Sequence, residues 1–160
     1  MKKIISVICL FVFIFSCFGC GKTEEEERKD AELGKELANA TMMIAGAPIV
    51  YQRVAFLIKP GSVRDKDIKD IDDFIEKTKE CYKALDGSPK KMKYLGGWKD
   101  FRSEALGLVE DETDLLKEFK KILEKIKNNK NVNSDLNDYI KDVGKYEKRY
   151  KELEVLQKRL

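Results

Sequence analysis

Residues 98–126 read WKDFRSEALGLVEDETDLLKEFKKILEKI, and within them Trp98, Phe101, Ala105, Leu108, Glu112, Leu115, Phe119, Ile122 and Ile126 recur in alternating steps of three and four. That alternation holds one row of side chains on a single face of an α-helix, and Val109, Leu116 and Leu123 widen the face. The row stops at the polar tract Asn128 to Asn133. A helix with so long an apolar face needs other elements to cover it.

Three further segments supply them. Ile68, Ile71, Ile75, Thr78, Tyr82 and Leu85 form a shorter seam, with Ser62 and Asp65 as a capping pair ahead of it and Asp86-Gly87-Ser88-Pro89 as its stop. Leu33, Leu37, Ala40, Ile44, Ala47, Tyr51, Val54 and Ile58 form an earlier one, closed by Lys59-Pro60-Gly61-Ser62. Leu136, Tyr139, Val143, Tyr146, Tyr150, Leu153, Gln157 and Leu160 form the last, with Ser134 at its N-cap. Nothing alternates with period two, so the expected fold is all-α. The short connections predict an elongated, antiparallel up-and-down four-helix bundle.

Pro48 conflicts with the first seam. It lacks an N–H, and its ring crowds the carbonyl of Ile44, while the heptad phase carries on across it. The expectation is a helix kinked at Pro48 or broken at Gly46-Ala47. The uncharged stretch Ala38 to Gln52 is expected to be buried, and it is too short and interrupted to span a bilayer.

The N-terminus carries a different message. Met1-Lys2-Lys3, the apolar run Ile4 to Phe18, Gly19 and then Cys20 have the three-part layout of an export signal. Cysteine directly after the small residue resembles a bacterial lipoprotein signal, in which that cysteine is acylated and becomes the first residue of the mature protein. Cys17 and Phe18 stand where the usual box has an aliphatic and a small residue, a relaxed form similar to that of spirochaete lipoproteins. The bland alternatives are a secretory signal and an uncleaved anchor. The resemblance implies residues 1–19 as signal peptide, residues 20–23 as lipidated cysteine and tether, and residues 24–160 as one domain in the cell envelope. It favours the outer membrane or cell surface over a periplasm-facing position on the inner membrane. Glu24 to Glu27, after Lys22-Thr23, are similar to acidic tethers of some surface lipoproteins.

Composition narrows the function. The formal charge of +3 falls to about +1 once Lys2 and Lys3 leave, and cations and anions interleave, so nucleic acid is not the expected partner. Histidine is absent, which removes the commonest general base and metal ligand. Ser62, Ser88 and Ser134 are needed at turns or caps, Ser103 has no activating neighbour, and no phosphate-binding loop or paired CxxC occurs. No catalytic residue, metal site or cofactor is predicted, and the protein is not expected to be an enzyme. A carboxylate-only hydrolase would have to draw its pair from 29 acidic residues without a guide.

Three individual residues or clusters invite a functional reading. Glu112 interrupts the long seam; one reading is a carboxyl pushed toward the core with a raised pKa, suited to proton chemistry, and the expectation is instead a local shift onto Val109 and Leu116 that leaves its head group in solvent. Asp65, Asp67, Asp73 and Glu76 match part of a calcium-loop template, but Lys69 and Asp70 occupy its fifth and sixth positions, and an acidic helix start accounts for them. Cys81, beside the second seam, is expected to be a small buried hydrophobe, with an intermolecular disulfide as the alternative.

The expected role is therefore binding, on a plan similar to small helical spirochaete surface lipoproteins that contact host proteins. The alternative is a structural or chaperone-like envelope lipoprotein. The partners are the membrane, through the N-terminal lipid, and an unidentified protein, with oligomeric state left open. Topology puts Lys90, Lys91, Lys93, Tyr94 and Trp98 at the membrane-proximal end, where basic and aromatic groups suit headgroups; the alternative, slightly favoured, is that Trp98 plugs the end of the bundle and the lysines are solvated. Lys59, Ser62, Asn129 and Lys130 fall at the partner-facing tip.

Overall fold

The computed structural model describes residues 22–55, 57–59 and 61–160; the export-signal reading, Cys20 included, and Pro60 lie outside them. Thr23 starts the first helix. Its hydroxyl accepts from the Glu26 N–H at 3.3 Å, and the Glu26 carboxylate accepts from the Thr23 N–H at 2.7 Å. The four glutamates Glu24 to Glu27 then occupy the first turn of α1 (Glu24–Ala45), where the helix dipole favours carboxylates. The acidic run is thus helix, not tether.

Pro48 leaves the Ile44 carbonyl without its helical donor, and the chain interrupts at Gly46 before resuming as α2 (Ala47–Ala55). Gly46 keeps φ −77° and ψ −12°, so the interruption bends the helix without reversing it. Of the two outcomes expected for Pro48, the break at Gly46 is the one observed. α1 and α2 together form the bent first of four helices.

α3 (Asp65–Gly87) starts at Arg64, not at the predicted Ser62–Asp65 pair: the Asp67 carboxylate accepts from the Arg64 N–H at 2.8 Å and from its guanidinium at 3.0 Å. Ser62 instead donates its hydroxyl back to the Lys59 carbonyl at 2.6 Å. At the other end Ser88 donates to the Leu85 carbonyl at 2.6 Å. Buried Arg102 donates from Nε to the Leu85 carbonyl at 2.8 Å and from Nη2 to the Asp86 carbonyl at 2.7 Å, placing a cation on the negative end of α3.

α4 (Trp98–Lys127) follows Gly97, whose φ of 77° is the left-handed region that glycine enters without strain. The helix ends with paired bonds from the Asn129 N–H to the Ile126 carbonyl (3.0 Å) and from the Lys130 N–H to the Lys125 carbonyl (2.9 Å). This is a Schellman closure, with Asn129 at φ 54° in the position that usually takes glycine. α5 (Asn133–Gln157) begins before Ser134, and the Asn133 N–H is held by the Asn131 side chain at 3.0 Å. Ser134 is not its cap. The described residues contain no strand.

α4 packs on α1, α2, α3 and α5. Every position of its predicted face is buried, from Trp98 to Ile126, with Val109, Leu116 and Leu123. Around it Tyr51, Phe119 and Tyr139 stack in series, with centroids 5.2 and 5.4 Å apart. Two seam positions differ from expectation. Tyr82 is exposed while Cys81 beside it is fully buried, and Val54 faces outward at 40% exposure. In α3 the buried row runs from Thr78 through Cys81 to Leu85, steps of three and four that pass Tyr82 by.

Cross-helix ion pairs mark which ends meet. Arg102, early in α4, holds the last carbonyls of α3, whereas Lys120, late in α4, reaches Asp72 early in α3 at 2.7 Å, and Lys127 pairs with Asp65. Lys125 meets Asp135 at 2.6 Å and Arg149 meets Glu104 at 2.7 Å, which relates α4 to α5 in the same way. The start of α1, the 88–97 connection and the last residues gather at one end. Lys93 pairs with Glu27 at 2.8 Å, and a Cβ on Gly97 would lie 3.7 Å from Leu160.

Candidate functional site

At the end predicted to face a membrane, Lys90, Lys91, Lys93 and Tyr94 are exposed. Lys93 is tied to Glu27, and the Tyr94 ring carries Arg28 and Lys93 at 5.3 and 5.2 Å from its centroid. Trp98 departs from the set. It is 1% exposed, donates from its indole to the Pro89 carbonyl at 2.7 Å and stacks on Phe101, so it plugs the bundle and presents nothing to a headgroup. Gly34 lets the connection approach closely: a Cβ there would fall 2.6 Å from Met92 Sδ.

At the other end, Lys59, Ser62, Asn129 and Lys130 are all exposed. The Lys127–Asp65 pair ties the two tip segments to one another's helices. Ser62 and Asn129 serve the backbone, one closing a turn on Lys59 and the other closing α4, which leaves the two lysines as the outward chemistry of the tip.

The interior differs from expectation at Glu112. Its head group does not reach solvent: the residue is 0% exposed, and neither carboxyl oxygen has a hydrogen-bond partner. Burial pushes its pKa up from 4.5 to about 8, so it is held mainly neutral at pH 7. The same site holds Cys81, whose thiol lies 3.5 Å from the Thr41 hydroxyl and is pushed up to about 12, first by burial. A charge on Glu112 would also raise Tyr51, Tyr146 and Tyr150, which places it between α2, α3 and α5. The rigid helix periodicity explains the position: residue 112 falls on the buried row and has no shorter path to water.

Above this layer, three α5 tyrosines address the bend. Tyr146 donates to the Ala45 carbonyl at 2.6 Å, and Tyr150 and Tyr139 donate to the carbonyls of Met42 and Pro48, both at 3.4 Å. The seam reading found these tyrosines as apolar bulk and missed their hydroxyls. The signal available was their coincidence with a proline-broken helix, which always leaves carbonyls to satisfy.

A second stripe was also missed. Met43, Val50, Val54 and Leu57 are exposed at 66, 56, 40 and 76% on the outer face of α1 and α2 and just beyond α2. Met43 and Val50 fall in the uncharged stretch expected to be buried, whose inner residues Thr41, Ala45 and Pro48 are indeed covered. No helix of the described residues is long and apolar enough to cross a membrane, and no group of three or more potential metal-ligating side chains occurs among them. Neither a protein-family model, nor a curated protein, nor a solved structure matches this chain.

Proposed function

We propose that this chain is a lipid-anchored envelope protein whose helical domain is a binding module. The observation that carries the binding role is the solvent-facing apolar stripe Met43, Val50, Val54 and Leu57, set on a domain whose other large apolar groups are mostly covered. Acid–base chemistry has no comparable support, since the one strongly shifted carboxyl, Glu112, is sealed from solvent and from any polar partner.

The arrangement we assign is an elongated antiparallel up-and-down bundle. The Lys120–Asp72, Lys127–Asp65 and Lys125–Asp135 pairs support it, because each joins the late part of α4 to the early part of its neighbour. Acylation of Cys20 would put α1, which starts at Glu24, directly above the bilayer, with the 88–97 connection near the headgroups and the Lys59 and Lys130 tip distal. An outer-membrane or surface position suits an exposed docking face. Labelling with an alkyne-tagged palmitate tests the anchor: incorporation lost in Cys20→Ser is expected, and label retained by that variant, or absent from the native chain, would sink it. Protease treatment of intact cells tests the surface position, where digestion is expected.

A further inference from the structure

The outward face of the first helix changes chemistry halfway along. Glu32 and Glu36 are exposed in its first half and Asn39 follows. Met43, Ala47, Val50, Val54 and Leu57 then recur in steps of four, three, four and three. At 100° per residue this row lies opposite the row buried in the bundle, Leu37, Thr41, Ala45, Pro48 and Ala55. The row has the spacing of a second helix-packing seam, with Ala47 as its one small residue.

Its surroundings carry a distinct charge. No acidic residue occurs between Glu36 and Asp65. Arg53 and Lys59 are exposed beside the row, and neither joins an ion pair among the described residues, whereas Arg64 is already engaged by Asp67. Along the flank of Val54 the surface is concave and mainly apolar, lined by Tyr51, Ile58, Ile71, Phe119 and Leu123, with Asp70 and the Arg64-paired Asp67 at its edge.

We infer that this face docks an amphipathic helix of a partner protein, with apolar residues three and four apart and carboxylates on the flank that meets Arg53 and Lys59. The inference rests on the binding-module reading and names its partner chemistry. A second copy fits less well. Pairing of the row with the same row of another copy would set Arg53 and Lys59 against residues 37–64, a segment that holds no acidic residue. A lipid surface also fits less well, because the flank is concave and Asp70 would face anionic headgroups. Helix-in-groove recognition uses the spacing seen here.

The test uses the full chain in detergent micelles and two designed helical peptides, both with leucines at alternating steps of three and four. One is flanked by glutamates and the other by lysines, and fluorescence anisotropy reads binding. At low salt the glutamate peptide is expected to bind at least about tenfold more tightly. Val50→Glu or Leu57→Glu, both at exposed positions, should weaken it at least about tenfold with the melting curve retained. Arg53→Glu with Lys59→Glu should reverse the charge preference. Equal binding of the two peptides, or indifference to both glutamate variants, overturns the proposal. So does concentration-dependent dimerisation abolished by Val50→Glu, which would assign the face to a second copy. A polarity-sensitive dye at Leu57→Cys that shifts on phosphatidylglycerol vesicles, and is not displaced by the glutamate peptide, would assign it to lipid and overturn the proposal as well. Palmitate labelling at Cys20 is independent of each result, so failure of the docking face and failure of the anchor are separable.

Discussion

Tyr146 on α5 donates its hydroxyl to the Ala45 carbonyl at 2.6 Å, at the point where Pro48 has broken the first helix. The bend is therefore held from across the bundle, with Tyr139 and Tyr150 on the carbonyls either side of it. Tyr146→Phe is expected to cost about 1 kcal/mol, the net worth of one buried neutral hydrogen bond. Pro48→Ala should leave the fold intact, because alanine restores the N–H for Ile44. In a double-mutant cycle by urea melting, the Tyr146→Phe cost should shrink in the Pro48→Ala background, where the helix can satisfy its own carbonyls. Strict additivity would show that the tyrosine does not serve the bend.

Glu112 should make the protein less stable as pH rises. Its pKa is near 4.5 when unfolded and about 8 when folded, so between these values the folded state holds a proton that the unfolded state has lost. Its contribution is greatest below about pH 4.5 and falls by about 1.4 kcal/mol per pH unit on the way up, levelling off above about pH 8. Denaturant melts at pH 5, 6, 7 and 8 check this against Glu112→Gln, in which that slope should vanish. Glu112→Met should in addition raise stability at pH 7 by about 1–4 kcal/mol, because it removes a buried polar group that nothing satisfies.

Cys81 should be chemically silent in the native state. Its sulfur is fully buried and its pKa raised to about 12, so little thiolate exists and no second chain can reach it. Peptide mass spectrometry after native iodoacetamide treatment should find Cys81 unmodified, with modification only in denaturant. Modification under native conditions would restore the intermolecular disulfide as a serious reading.

Asn129 holds a left-handed conformation at φ 54°. Asn129→Gly is expected to leave stability unchanged or raise it slightly, and Asn129→Val to lower it by about 1–2 kcal/mol. If the two variants melt alike, the closure of α4 does not depend on that backbone geometry.

Trp98, the sole tryptophan, should emit as a buried indole and stay unchanged when anionic liposomes are added at low salt. Binding of a chain lacking residues 1–21 to those liposomes should weaken when Lys90, Lys91 and Lys93 become glutamate. A liposome-induced shift in Trp98 emission would mean that the 88–97 connection opens on the membrane.

The fold was legible because helix periodicity is written residue by residue. The whole Trp98 to Ile126 row is buried as its spacing requires, and the break at Pro48 follows from a missing N–H. Helix starts were less legible: Ser62 and Ser134 had the right chemistry for caps, but Arg64 with Asp67, and Asn131, took those roles two and three residues away. Side-chain capping depends on local backbone angles that residue type alone does not specify.

What the sequence determined by itself was the helical class, the dominant core face, the bend and the burial of Cys81, since each depends on spacing or on covalent geometry along one chain. What only the tertiary structure decided was which side of each remaining position met a neighbour. Val54 turned outward, Tyr82 reached solvent, and the Glu112 carboxyl was closed in without a partner. The physical reason is that a helix fixes only relative directions about its own axis. The absolute orientation, and with it the contrast between a sealed carboxyl inside and an apolar seam outside, is set when the helices pack and the total apolar area buried is shared among all of them.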